Sequence, residues 1–207
     1  MASHAIPPID PRDLILDEGV VHLQAGGEAP LPRAALDAFA RYARDTAGGI
    51  VGRPAMERCH DTMRRWLATR MGIIDAEQVA FTGSASTALS AAIAAIDWRE
   101  GDNVVTLADE FPSVVLAPLA LRRFGVTLRV VEGGNAPEQA LADASDSRTR
   151  VACVSHVSFR HGRRLDLEQL SSLLSPMGAA LFVDASHSLG VLDVPVSVCD
   201  VLVSCAH

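Results

Sequence analysis

The amino-acid sequence predicts an α/β protein with a mostly parallel β-sheet and helices on both of its faces. Short apolar runs rich in β-branched residues alternate with longer stretches of helical periodicity along most of the chain. The predicted strands consist mainly of apolar residues in continuous runs, which is typical of parallel strands that are buried on both faces. A chain of 207 residues, 49% of them hydrophobic, is large enough to bury the core that such a sheet requires.

Two helices are predicted before the first strand. The first covers residues 32–44 and has Pro32 in its first turn, where a missing backbone N–H costs little. The second covers residues 54–70, and the pair Gly48 and Gly49 separates the two helices. We therefore expect a helical N-terminal segment ahead of the sheet.

From residue 79 onward, predicted strands and helices alternate. The predicted strands cover residues 79–82, 103–107, 127–131, 150–154, 179–183 and 200–204. The predicted helices between them cover residues 86–96, 113–124, 137–142 and 165–174. Parallel strands require crossover connections, so this alternation places helices over both faces of the sheet.

Charge and composition argue against several classes of protein. All 18 Lys/Arg residues are arginines, and against 25 acidic residues they leave a net charge of −7, which disfavours nucleic-acid binding. The four cysteines show neither metal-ligand spacing nor a disulfide framework, so we expect reduced thiols and no metal site. Residues 1–12 lack the apolar segment of a signal peptide, and no apolar run, Ala88–Ile96 included, is long enough for a membrane span. The sequence therefore predicts a cytoplasmic protein without a membrane or nucleic-acid partner.

Small residues at positions 83–87 follow one predicted strand and open the next helix. In open parallel sheets, ligands gather at the carboxyl ends of the strands. Backbone N–H groups of small residues such as Ala85, Ser86 and Thr87 can approach an anion closely, and the helix dipole favours negative charge there. An ordinary helix N-cap is the alternative interpretation of the same residues.

Three further predicted strands are followed by residues that can act on a ligand. Asp184 directly follows one strand, and His187 lies three residues later. Phe111 follows a second strand and offers a ring face for stacking, and Ser158 follows a third. A turn aspartate, a structural histidine and a core phenylalanine are the ordinary alternatives. Their shared position at strand ends predicts one common ligand site.

The last two segments carry a family resemblance. Residues 182–187 are Phe-Val-Asp-Ala-Ser-His, and residues 199–207 are Cys-Asp-Val-Leu-Val-Ser-Cys-Ala-His. From residue 23 to residue 207 the chain resembles the class V aminotransferases, pyridoxal phosphate (PLP) enzymes that include cysteine desulfurases, kynureninases and isopenicillin-epimerase-like proteins. The resemblance implies the large domain of the PLP-dependent transferase fold, with the C-terminal part of that fold outside these residues. Residues 1–50 would border the active site, and residues 51–207 would begin the PLP-binding domain.

The resemblance also implies where the cofactor, pyridoxal 5′-phosphate, is bound. Asp184 would hold the pyridine nitrogen, and His187 would lie near the phenolic oxygen. The turn formed by Ala85, Ser86 and Thr87 would cup the phosphate.

Further positions complete the implied site and depart from the family pattern. Phe111 would stack on the cofactor ring, at a position where many relatives carry a histidine. This difference makes a cysteine desulfurase of the common type a less favoured assignment. Ser158 would line the site, while Phe159 stands where some relatives have an asparagine that contacts the cofactor. Cys205 and His207 would help to hold the phosphate, with Cys205 replacing a serine.

The lysine that binds the cofactor in this family is expected immediately after His207, and the 207 residues contain no lysine. Three explanations are open. Position 208 is a chemically modified lysine, which we favour as a hypothesis, or the chain is truncated, or it is a non-catalytic relative.

The implied function is that of a PLP-dependent enzyme acting on an amino acid or amine through an aldimine and a quinonoid intermediate. Its reaction type would be that of an aminotransferase, a C–S or β-lyase, or an epimerase. The resemblance also implies a homodimer. A non-catalytic or truncated PLP-fold binding or scaffold protein is the alternative, and a nucleotide-binding domain is a weaker one because the chain lacks a GxGxxG or Walker spacing.

Overall fold

The computed structural model describes residues 10–23, 27 and 29–205, and the chain divides after Ala80 into two units. The described part of the N-terminal unit is helical, and the C-terminal unit contains the sheet. Among the described residues, no helix is both long enough and apolar enough to cross a lipid bilayer.

Two α-helices dominate the N-terminal unit, close to the positions predicted for them. Helix α1 spans Arg33–Ala47, and helix α2 spans Arg53–Met71. Short 3-10 turns occur at Pro11–Asp13, Gly49–Val51 and Ala76–Gln78.

The junction between α1 and α2 depends on a glycine. A Cβ atom on Gly52 would lie 1.8 Å from the carbonyl oxygen of Asp45. Only glycine permits the two backbones to come this close. Helix α2 then ends at Gly72, whose φ of 68° lies in the left-handed region that helix C-caps commonly adopt.

The described part of the C-terminal unit contains five strands and four α-helices. The strands are β1 (Asn103–Leu107), β2 (Thr127–Val131), β3 (Thr149–Ser155), β4 (Ala180–Asp184) and β5 (Val201–Val203). The helices are α3 (Ala85–Ala94), α4 (Pro112–Leu119), α5 (Pro137–Asp143) and α6 (Leu167–Leu174). The strands lie in the order β2-β1-β3-β4-β5, and every neighbouring pair is parallel, which confirms the predicted parallel sheet.

Helices cover both faces of the sheet, as predicted, because successive strand residues point to opposite faces. One core packs against α3 and α4, and its buried strand residues are Val104, Val151, Cys153, Phe182 and Val203. The other core packs against α5 and α6, and its buried strand residues are Val105, Leu107, Ala152, Val154, Leu181 and Val183.

One predicted strand is wrong, and one predicted helix is divided. Residues 79–82 belong to no strand of the described part, although Val79 has the extended backbone that its β-branched side chain favours. An extended backbone does not by itself make a strand, because a strand is defined by a regular ladder of hydrogen bonds with a neighbouring strand. The predicted helix at residues 113–124 is α4 followed by a 3-10 turn at Ala120–Phe124, since Pro118 lacks the N–H that would continue the α-helical pattern.

Candidate functional site

Four strands of the sheet end side by side at what we call the carboxyl edge. The last residues of these strands are Leu107, Ser155, Asp184 and Val203. Ser155 and Asp184 are direct partners in the pairing of β3 with β4. Because strand residues alternate between faces, both share the face of Cys153 and Phe182, which α3 and α4 cover.

The N-terminus of α3 lies at the same edge and on the same face. Helix α3 ends shortly before β1 begins, so it runs back across the sheet and starts at the carboxyl edge. Its first residue, Ala85, is buried in the same core as Cys153 and Phe182. The structure therefore brings the predicted anion-binding turn and Asp184 to one side of the carboxyl edge.

The first turn of α3 is capped by Ser84 and leaves two backbone N–H groups available. The Ser84 hydroxyl oxygen accepts a hydrogen bond from the Thr87 N–H at 3.1 Å and lies 2.9 Å from the Thr87 hydroxyl. The N–H groups of Ala85 and Ser86 have no hydrogen-bond partner among the described residues, as expected for the first turn of a helix. These two N–H groups, together with the helix dipole, can bind an anion.

Asp184 is a buried carboxylate with one oxygen unused. The residue is 7% exposed. Its Oδ1 accepts the Ser186 N–H at 2.9 Å, and Oδ2 accepts no hydrogen bond within the described part of the chain. A carboxylate in this state favours a positively charged N–H partner, because burial without a partner is costly for a negative charge. His187, three residues further on, is exposed.

Phe111 stands at the start of α4 and borders a groove that also reaches α3. Its ring meets the ring of Phe159 edge to face, with centroids 5.3 Å apart and planes at 86°. Phe111 as a whole residue is 39% exposed, so it is accessible to a ligand. The groove has a volume of about 930 Å³, and Ser86 and Ser113 also line it. Two of the predicted site residues, Ser86 and Phe111, thus share one groove.

Glu110 is a site residue to which the sequence analysis assigned no function. Its Oε1 accepts the Ser155 N–H at 2.8 Å, and its Oε2 accepts the Ser155 hydroxyl at 2.5 Å. Burial raises the pKa of Glu110, and the hydrogen bonds from Ser155 oppose that rise. The sequence shows only that Glu110 is an acidic residue between a buried strand and Phe111. Its hydrogen-bond partner, Ser155, lies 45 positions away in the sequence and could not be predicted from it.

Ser158 and Cys205 are engaged in local hydrogen bonds. Ser158 accepts the Arg160 N–H on its hydroxyl oxygen at 3.3 Å, inside a tight turn. Cys205 donates both its backbone N–H and its thiol to the Ser186 hydroxyl oxygen, at 3.1 and 3.0 Å. Ser186, which the sequence analysis did not single out, therefore ties the end of β4 to the segment after β5. The predicted site residue His207 lies outside the described residues.

Other titratable groups near the sheet are held in their neutral forms by burial. Burial raises the pKa of Cys153 strongly and that of Cys199 to about 11, so neither thiol is a thiolate at neutral pH. Burial, assisted by Arg164, lowers the pKa of His156. No three His, Cys, Asp or Glu side chains of the described part are grouped to hold a metal ion.

The residues at the carboxyl edge fit pyridoxal phosphate. The free N–H groups of Ala85 and Ser86 suit its phosphate, and Asp184, with one unused oxygen, suits its protonated ring nitrogen. The accessible Phe111 suits stacking on a planar heteroaromatic ring.

The sequence matches proteins of one family. It matches the family model described as Aminotransferase class-V over residues 21–207. A probable cysteine desulfurase from Methanothermobacter thermautotrophicus is 31% identical over 193 residues, which cover 89% of this chain and 48% of that protein. A kynureninase from Pseudomonas fluorescens is 30% identical over 206 residues, which cover 93% of this chain and 48% of that protein. The chain spans about half the length of these curated relatives.

The fold also matches that of solved structures. The apo structure of a cysteine desulfurase from Thermococcus onnurineus NA1 superposes with a TM-score of 0.81 at 24% identity. The match covers 98% of this chain and 53% of that structure, and it shows the PLP-dependent transferase fold that the sequence predicted. The class V family uses pyridoxal phosphate as its cofactor. Since the family model covers nearly all of its sequence, this chain belongs to the class V aminotransferase family.

Proposed function

We propose that this protein binds pyridoxal phosphate at the carboxyl edge and acts on an amino acid or amine. The observation that carries the proposal is that Asp184 and the free N–H groups at the start of α3 share one edge and one face of the sheet. The Asp184 carboxylate favours a cation and suits the protonated ring nitrogen at one end of the cofactor. The N–H groups of α3 favour an anion and suit the phosphate at the other end.

Each of the proposed site residues has a separate task. Asp184 holds a proton on the ring nitrogen, because its buried carboxylate favours a positive partner. Ala85 and Ser86 bind the phosphate through their backbone N–H groups. Phe111 covers the ring by stacking and adds no titratable group there. When bound, pyridoxal phosphate withdraws electrons from the bonds at the substrate's α-carbon.

The relatives narrow the proposed chemistry. Those at 30% identity or above include a probable cysteine desulfurase and a kynureninase. We propose that the reaction is of the lyase or desulfurase kind, because these relatives outweigh the departure from the common desulfurases at Phe111, and that transamination and epimerisation are less favoured. The predicted homodimer, and the predicted contacts of His187, Ser158, Cys205 and His207 with the cofactor, stay predictions.

One observation favours a second function. None of the 207 residues is a lysine, so these residues offer no lysine amine for covalent attachment of the cofactor. A protein that binds pyridoxal phosphate without turning over a substrate is consistent with that composition.

Calorimetric titration of the purified protein with pyridoxal phosphate tests the proposal, with pyridoxal as the control that lacks the phosphate. We expect saturable binding of the phosphorylated compound and at least about tenfold weaker binding of pyridoxal, because the α3 N–H groups then have no anion to bind. Amino acids, cysteine and kynurenine among them, are then added while the absorbance of the cofactor is followed. Spectral change with product release supports the enzyme, binding alone supports the second function, and no binding contradicts both.

A further inference from the structure

We propose that Glu110 is a positioning residue that holds Phe111 and Asp184 in their places at the carboxyl edge. This inference rests on the proposed function, since it concerns the same cofactor site. Glu110 lies directly before Phe111 in the chain, and its carboxylate binds Ser155, the residue paired with Asp184.

Strand β1 stops before it reaches the end of β3. Pairing between β1 and β3 reaches Val105 and Ala152, and β1 itself ends at Leu107. Ser155, the last residue of β3, has no β1 residue paired with it. Its N–H is instead bound by the carboxylate of Glu110 at 2.8 Å. The Glu110 side chain thus replaces the strand beyond its end, which keeps a buried backbone N–H satisfied.

Ser155 connects Glu110 to Asp184. On its other side, Ser155 pairs with Asp184 in the parallel ladder between β3 and β4. The next residue, His156, donates its backbone N–H to the Asp184 carbonyl oxygen at 2.9 Å. A shift of the β3 end would therefore move the backbone that carries the Asp184 carboxylate.

Glu110 also lies next to Phe111. Phe111 directly follows Glu110 in the chain and is the residue before the first turn of α4. The Phe111 ring is braced at its edge by Phe159, which follows β3. Glu110 therefore fixes the loop after β1 to the end of β3, and with it the distance between the stacking ring and the carboxylate.

The same contacts argue against a direct chemical task for Glu110. Both of its oxygens accept hydrogen bonds from Ser155, so the group is committed to the protein. The negative charge of Asp109 adds to the effect of burial in raising the pKa of Glu110. Glu110 and Asp184 both contribute to the raised pKa of the nearby Cys153 thiol. A positioning role depends on the geometry of the Glu110 side chain and not on its charge. Mutations that keep the geometry and remove the charge therefore distinguish a positioning role from a direct chemical one.

The test compares Glu110→Ala, Glu110→Gln and Ser155→Ala by calorimetric titration with pyridoxal phosphate and by the circular dichroism of the bound cofactor. Removing a buried hydrogen bond to a charged group should weaken binding roughly tenfold in Glu110→Ala. Glu110→Gln keeps an acceptor for the Ser155 N–H and a donor for the Ser155 hydroxyl, so its affinity should stay within about threefold of the wild type. The dichroism of the bound ring should change in Glu110→Ala, because the ring's surroundings move, and should be restored in Glu110→Gln.

Thr149→Val is the matched control. Thr149 donates its hydroxyl to Asn103 at 2.7 Å, which ties the same two strands, β1 and β3, at the opposite edge of the sheet. Loss of this hydrogen bond in Thr149→Val should lower the melting temperature without changing the affinity for the cofactor or the dichroism of the bound cofactor. Ser155→Ala serves where Glu110→Ala does not fold, and it should weaken binding in the same direction.

Different failures separate the two proposals. If the wild type does not bind the cofactor, the proposed function fails. If the wild type binds and the folded Glu110→Ala and Ser155→Ala proteins bind equally well, the positioning inference is overturned. A loss in Glu110→Gln as large as in Glu110→Ala would also overturn it, because the charge and not the geometry would then matter.

Discussion

Two carboxylates at the carboxyl edge differ in what their oxygens bind. Asp184 has one oxygen bound to the Ser186 N–H and one without a partner in the described part of the chain. Glu110 has both oxygens bound to Ser155. A buried carboxylate with one oxygen that accepts no hydrogen bond can bind a ligand. A carboxylate whose two oxygens both accept hydrogen bonds from the protein is suited to holding neighbouring residues in place. The sequence shows both as acids after buried strands, and only the hydrogen bonds distinguish them.

Asp184→Asn tests the residue proposed to hold the ring nitrogen. The substitution keeps the size of the side chain and removes its charge, so we expect pyridoxal phosphate to bind at least about tenfold more weakly, the loss of one charge-assisted hydrogen bond. Calorimetric titration measures the change. Asp193→Asn is the control, since Asp193 is an exposed aspartate of the same segment. Equal affinity in both variants would rule out Asp184 as a ligand of the cofactor.

The pH dependence of stability tests the environment of Glu110. Burial raises its pKa above the ordinary value of 4.5, so folding favours the protonated form. The folded protein therefore binds a proton more tightly than the unfolded chain, and the stability linked to that proton is lost as pH rises from the ordinary value through the raised one. Relative to Glu110→Gln, which does not titrate, the wild type should lose free energy of unfolding over that interval. Urea unfolding at a series of pH values measures the difference, and a constant difference would contradict the raised pKa.

At the scale of elements, the structure holds two helices whose first turns are capped in the same way but lie on opposite faces of the sheet. Ser84 caps α3 through the Thr87 N–H, and Asp166 caps α6 through the Gln169 N–H. Helix α3 belongs to the core on the side of Asp184, and α6 belongs to the opposite core. The caps therefore contribute alike to stability but differ in their distance from the proposed site.

Ser84→Ala and Asp166→Ala should separate stability from cofactor binding. Each loses one N-cap hydrogen bond, so each should cost about 1 kcal/mol in the free energy of unfolding. Only Ser84→Ala should also weaken pyridoxal phosphate binding, because fraying the first turn of α3 disturbs the N–H groups of Ala85 and Ser86. Urea unfolding and calorimetric titration measure the two effects. Equal affinity of the two variants would place the phosphate away from α3.

At the scale of the whole molecule, the sheet could be predicted because its signals are local. The predicted strands at residues 103–107 and 127–131 have the bounds of β1 and β2, since each is a short run rich in β-branched residues between clear turns. Residues 79–82 have the same kind of composition but belong to no strand of the described part, and strand pairing cannot be deduced from a segment's own residues.

The candidate site could be predicted only in part, for a related reason. Asp184, Ser86 and Phe111 were found because each follows a strand or opens a helix, which is visible in a short window. Glu110 and Ser186 were missed because their partners lie 45 and 19 positions away, and only the folded chain brings them together. Residues that act through such long-range hydrogen bonds can be identified only from the tertiary structure.

A crystal structure of the purified protein soaked with pyridoxal phosphate tests the central claim most directly. We predict that the phosphate lies within hydrogen-bonding distance of the Ala85 and Ser86 N–H groups, and that the ring nitrogen of the same molecule lies against Asp184. A cofactor that reaches only one of these two ends, or that binds away from the carboxyl edge, would contradict the claim that a single ligand spans them.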